Sequence, residues 1–224
     1  MAEDSSKPVG MRRQPRQLRS QKRVHQILDA AEQLFIEEGF TVTTTNAIAA
    51  RANVPIGSLY QFFPDKAAIV QALARRYVAL LHQRFEALQT DEALQLPLSD
   101  YVDQMIDLTN QFFKEHPGYH AIFMQVQGRI PELETIEAAA DAQFIQELSA
   151  FLLRRDASQQ THPEAIAFVV VKAVGTLLWL ALSQEPAFRQ QLVAETKRLM
   201  LTYLQSYLPD APCQMPLPDD PLED

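Results

Sequence analysis

The chain of 224 residues has one cysteine, Cys213, so neither an internal disulfide nor a cysteine-based zinc cluster is open to it. Its charged N-terminus has no apolar run of the kind that leads a secreted protein, and the expectation is a cytoplasmic one. No stretch alternates apolar and polar residues as a half-buried strand does. No nucleophile–base pair, phosphate-cradling glycine loop or metal-ligand set stands out, so neither an enzyme nor a cofactor is expected. His116 and His120 have the spacing of helical metal ligands, but Pro117 and Gly118 lie between them and no third ligand is near, so no metal is expected.

Charge is the next scarcity. There is no acid between Lys7 and Arg23, where Lys7, Arg12, Arg13, Arg16, Arg19, Lys22 and Arg23 fall together. At the other end, residues 209–224 hold five prolines, five acids and no base, the composition of a disordered tail. The net charge of −8 therefore hides a basic end on an acidic body, an asymmetry that suggests an anion-binding face.

What remains is helix. Val24, Ile27, Leu28, Ala31, Leu34 and Phe35 recur on one face of a helix that starts near Ser20 and stops at Gly39. The charges of this helix oppose its dipole, with Arg19, Lys22 and Arg23 at its start and Glu37 and Glu38 at its end. Thr43-Thr44-Thr45 offers hydroxyls to cap a second helix with Ile48 and Ala49 inward. Asn53 tolerates a left-handed turn, and Pro55 pre-sets entry into a third helix near Ile56–Phe62. So short a helix does not persist alone, so Leu59, Phe62 and Phe63 must pin it, leaving Ile56, Gly57, Ser58, Tyr60 and Gln61 open. Two short helices joined by a tight turn are the layout of a helix-turn-helix.

Further helices are expected over about 66–88, 99–114, 119–127, 131–155, 163–183 and 186–207, with 89–98 as a linker. The class is all-α, with about nine helices. The run Ala165–Leu182 is apolar nearly all round; Lys172 inside it argues against a membrane span, and burial on two sides fits it better.

The stretch Arg23–Lys66 resembles the DNA-binding domain of the tetracycline-repressor (TetR/AcrR) regulators. The resemblance is carried by Ile27-Leu28, Ala30-Ala31, Leu34-Phe35 and Glu38-Gly39-Phe40, then Thr44-Thr45 with Ile48-Ala49, then Gly57–Phe63 and Lys66. Asn53 and Pro55 depart from the family's usual Gly and Ser. The resemblance implies an N-terminal helix-turn-helix domain at 20–66, preceded by a basic arm at 1–19. A ligand-binding and dimerisation domain at 67–208 and an acidic Pro-rich tail at 209–224 would follow. It implies a homodimer formed through the last two helices, about 163–207, on double-stranded DNA with a palindromic operator, most often as a repressor that a small molecule releases. By the same resemblance Thr45, Tyr60 and Lys66 would bind phosphates, and Gly57, Ser58 and Gln61 would lie near base edges. Arg12, Arg13, Arg16 and Arg19 would reach the flanking minor groove. An effector cavity is expected among Tyr101, Met105, Thr109, Phe112, His116, His120, Phe123, Phe144 and Trp179. The alternative is a helical sequestering module that has lost DNA binding; Tyr60, Lys66 and the basic arm argue against it.

Overall fold

A computed structural model describes residues 18–126, 128–155 and 162–208. Among these there are ten helices and no strand: α1 Leu18–Glu37, α2 Thr45–Arg51, α3 Ile56–Phe62, α4 Lys66–Glu86, α5 Asp91–Gln95, α6 Leu98–Glu115, α7 Pro117–Val126, α8 Pro131–Arg155, α9 Pro163–Ala181 and α10 Pro186–Gln205. The chain forms two compact units. The first holds the chain up to Gln83 together with Gln111–Asp141, and the second holds Arg84–Asn110 and the chain from Ala142 onward. The unit that carries α1–α3 thus extends beyond residue 66 to include most of α4 and all of α7.

In the first unit the α1 stripe is buried as its spacing requires, with Ile27, Ala31 and Phe35 fully out of solvent. Gly39 ends α1 at φ +88, a left-handed backbone that suits glycine. The face of α4 that carries Ile69, Leu73 and Tyr77 is buried. The Tyr77 hydroxyl donates to Glu32 Oε1 on α1 at 2.5 Å, and Arg76 pairs with Asp29. Residues 116–118 do break α6, but Pro117 also opens α7, a helix position where its missing N–H costs nothing. Gly118 lets α7 lie against α1: a Cβ there would be 2.7 Å from Glu32 Oε1 and 2.8 Å from the Tyr77 hydroxyl.

The second unit contains a helix that was not expected, α5, in place of a linker. Thr90 caps it by accepting from Ala93 N at 3.3 Å. Two consecutive arginines at the end of α8 then hold it: Arg154 pairs with Asp91, and Arg155 donates to the Leu96 carbonyl at 2.5 Å and that of Ala93 at 3.5 Å. α9 and α10 pack on each other, burying Ile166, Val170, Val174 and Leu178 from one and Met200 and Leu204 from the other. Phe168, Val169 and Leu180 of α9 stay exposed, as do Phe188 and Leu199 of α10. Among the described residues, α9 is the one helix long and apolar enough to cross a membrane by length and composition, and a third of it is buried.

Candidate nucleic-acid interface

α2 begins where Thr44 accepts from the Ala47 amide at 3.1 Å, a side-chain N-cap, and it buries Ile48 and Ala49. The chain then turns at Asn53, whose φ of 53 lies in the left-handed region that asparagine tolerates. The Val54 amide closes the turn on the Ala49 carbonyl at 3.0 Å. α3 enters at Pro55, with no side-chain cap. Leu59 and Phe63 are fully buried and Phe62 nearly so, which is what a helix of seven residues requires to persist. The opposite face is free. Ile56, Gly57, Tyr60 and Gln61 are exposed and Ser58 is half-buried. A Cβ at Gly57 would meet nothing within 4 Å, so the fold itself does not require glycine there.

The Thr45 and Tyr60 hydroxyls lie 3.0 Å apart, joining the first turn of α2 to α3. Each can donate to only one acceptor at a time, so the pair leaves a donor for a third oxygen. Arg19, Lys22 and Arg23 are exposed on the first turns of α1. Arg12, Arg13 and Arg16 lie outside the described residues, as do the polar loop 156–161 and the acidic tail.

Lys66 opens α4, and its side chain turns toward the loop that leads into α2. Its ammonium donates to the carbonyls of Phe40 at 2.5 Å, Thr43 at 2.6 Å and Thr41 at 3.3 Å. It also sits 4.5 Å from the centre of the Phe40 ring. All three of its N–H groups are thereby used inside the protein. Burial holds its pKa below the usual lysine range. At the same helix start Asp65 accepts from the Ala68 amide at 2.8 Å, so a carboxylate occupies the anion-favouring end of α4. The loop that Lys66 gathers is also held from α7, where Gln125 Oε1 accepts from the Phe40 amide at 2.7 Å.

The acidic end of α1 finds its reason here. Glu37 makes two bonds to Arg51 of α2, at 3.0 and 3.3 Å, which lower the Glu37 pKa and raise that of Arg51. An unfavourable dipole contact is exchanged for a tie between the first two helices.

The residues expected to line an effector cavity divide between the two units. In the first, Phe112, His116 and Phe123 gather with Tyr119 around Tyr77: its ring lies 5.8 Å from His116, 5.2 Å from Tyr119 and 6.3 Å from Phe123, and Phe112 lies 4.7 Å from His116. His120 is half-buried on α7. In the second, Tyr101 stacks on Phe151 at 4.5 Å and Phe144 meets Phe85 at 5.1 Å. Met105 and Thr109 are buried, Thr109 donating to the Met105 carbonyl at 3.0 Å, and Trp179 is half-buried on α9. Burial pushes the phenols of Tyr77, Tyr101 and Tyr119 well above the usual tyrosine range. Among the described residues no group of three or more His, Cys, Asp or Glu side chains is placed to hold a metal ion.

A capped helix, a left-handed turn and a short pinned helix with one open face define a helix-turn-helix DNA-binding protein. Residues 27–73 match the family profile described as bacterial regulatory proteins, tetR family, and residues 97–204 match the tetracyclin repressor-like C-terminal domain. The chain belongs to the TetR family of transcriptional regulators; it is not an enzyme. It is 28% identical over 185 residues to the transcriptional activator FasR of Mycolicibacterium smegmatis, spanning 78% of this chain and 80% of the relative. It is 27% identical over 206 residues to the transcriptional repressor BepR of Brucella suis, spanning 85% of this chain and 93% of the relative. Among solved structures, the SmeT–triclosan complex superposes with a TM-score of 0.62 at 24% identity, over 88% of this chain and 98% of that one.

Proposed function

We propose that this regulator is a homodimeric repressor in the bacterial cytoplasm that binds a palindromic operator and is released by a small molecule. The observation that carries the reading is the Thr45–Tyr60 hydroxyl pair beside the open face of α3. Hydroxyls on a rigid frame bond phosphate oxygens and set the register of a helix in the major groove. Gly57, Ser58 and Gln61 then face base edges. Glutamine suits adenine, while no arginine stands on α3 to read guanine, so affinity rests heavily on the backbone. Arg12, Arg13, Arg16 and Arg19 extend that contact into the flanking minor groove.

The dimer is formed by α9 and α10. Their exposed Phe168, Val169, Leu180, Phe188 and Leu199 support this, since so many large apolar side chains on one helix pair call for a partner. A small molecule bound in SmeT supports effector control of the body. The effector would contact some of Tyr101, Met105, Thr109, Phe112, His116, His120, Phe123, Phe144 and Trp179, and would act by binding one state of the dimer more tightly than the other. BepR is a repressor by name and FasR an activator, so the relatives divide on the sign of regulation, and repression is the family's more frequent mode.

Tyr60→Phe removes one hydroxyl and keeps the ring. A hydrogen bond to a charged oxygen contributes about 1.5–3 kcal/mol, so operator affinity falls about tenfold or more for each subunit, with the fold intact by circular dichroism. Unchanged affinity for a duplex selected on the wild-type chain would remove Tyr60 from the interface.

A further inference from the structure

The open face of α3 carries an apolar side chain that the fold does not use. Ile56 is 37% exposed at the first position of the helix, while the pinning of α3 falls to Leu59, Phe62 and Phe63. Nor does Ile56 start the helix. Pro55 sets the entry at φ −59, and Val54 and Leu59 hold the two positions of a hydrophobic staple. A β-branched residue is also a weaker helix former than alanine. Ile56 and Tyr60 stand one turn apart on one edge of the open face, with Gly57 and Gln61 one turn apart beside them. The space left by Gly57 lets another surface approach the first turn until it meets the isoleucine.

Each base pair shows the major groove a different set of marks. Guanine is read best by Arg or Lys and cytosine by Asp or Glu, and α3 carries none of these. Gln61 suits adenine, and Ser58 serves any base. The 5-methyl group of thymine is the apolar mark in the groove, and Ile56 is the one large aliphatic side chain exposed on α3. We propose that Ile56 is a specificity-determining residue that packs on the 5-methyl group of one thymine in each half-site. The proposal rests on the reading of α3 as the helix in the major groove. It makes the methyl of 5-methylcytosine equivalent to that of thymine at this one position.

The test takes a duplex selected from a random pool on the wild-type chain. Each thymine of the half-site is replaced in turn by deoxyuridine, in both half-sites at once, and affinity is measured at one fixed salt concentration. Deoxyuridine keeps every hydrogen-bonding group of thymine and removes only the methyl. Burying one such carbon is worth about fourfold in affinity, so the expected result is a position at which the paired replacement costs about tenfold. On the same chain 5-methylcytosine should outbind cytosine there by a similar factor. In Ile56→Ala, folded by circular dichroism, thymine and deoxyuridine at that position should bind equally, so the two losses do not multiply. Should Ile56→Ala not fold, Ile56→Val, one carbon shorter, takes its place and should lose part of the dependence. Equal affinity for thymine and deoxyuridine throughout the half-site would overturn the proposal. A methyl dependence that the variant leaves intact, or a selected half-site without thymine, would overturn it as well. A wild-type chain that selects no duplex would refute the underlying reading of α3, a result separate from all of these.

Discussion

Replacing Gly118 by alanine should loosen the hold of α7 on α1. The added carbon would lie 2.7 Å from Glu32 Oε1, 2.8 Å from the Tyr77 hydroxyl and 3.0 Å from Glu32 Cγ, so something has to move. Tyr77 has no room to do so: its side chain is 1% exposed, with His116, Tyr119 and Phe123 against the ring. Glu32, half-buried on α1, swings toward solvent and leaves the buried phenol without its acceptor. An orphaned buried donor costs about 1–3 kcal/mol. The crowding that remains at the phenol adds about 1–3 kcal/mol. Alanine recovers up to about 1 kcal/mol over glycine in a helix. The net loss is about 3 kcal/mol, read as a lower urea midpoint at unchanged slope and at one fixed protein concentration. Tyr77→Phe removes both the crowding oxygen and the orphaned donor, so Gly118→Ala should cost at least about 1 kcal/mol less in that background. A Gly118→Ala chain as stable as its parent, or more stable, would refute the packing described for α7.

Two further outcomes follow from the backbone and the buried phenols. Asn53 at φ 53 should tolerate glycine with no loss, while Asn53→Val, β-branched in a left-handed position, should lose about 1–2 kcal/mol by the same urea titration. The phenols of Tyr77, Tyr101 and Tyr119 are held above the usual range chiefly by burial, so the folded chain keeps protons that the unfolded chain releases. Their contribution is complete below about pH 10, and stability declines as pH rises beyond it, by up to about 1.4 kcal/mol per pH unit for each phenol. Tyr77→Phe should make that decline measurably less steep, and an unchanged slope would count against the burial of its hydroxyl.

The parts that sequence made legible are those whose chemistry is local. The α1 stripe, the threonine cap, the left-handed Asn53 and the pinned face of α3 each follow from residues a few positions apart. The parts that escaped depend on partners far along the chain. A helix of five residues has no room for periodicity, and α5 owes its place to Arg154 and Arg155, some sixty positions on. Glu37 looked misplaced until Arg51 stood beside it. In sequence Gly118 only fell in the gap between the expected helices 99–114 and 119–127; its contact with Glu32 and Tyr77 requires three elements to be assembled first. Lys66 was marked by its motif, but where a long flexible amine points is decided by the loop it meets. The aromatic residues of 99–127 formed one group in sequence, yet Tyr101 packs on Phe151 while Phe112, His116 and Phe123 surround Tyr77. The composition of the stretch carries no sign of that division.

Selection of duplexes from a random pool on the full chain, followed by sedimentation of the enriched duplex at saturation, tests the central claim most directly. The account predicts an enriched inverted repeat that carries two chains, one recognition helix for each half-site. A pool that enriches no sequence, or a duplex that saturates with a single chain, would contradict it.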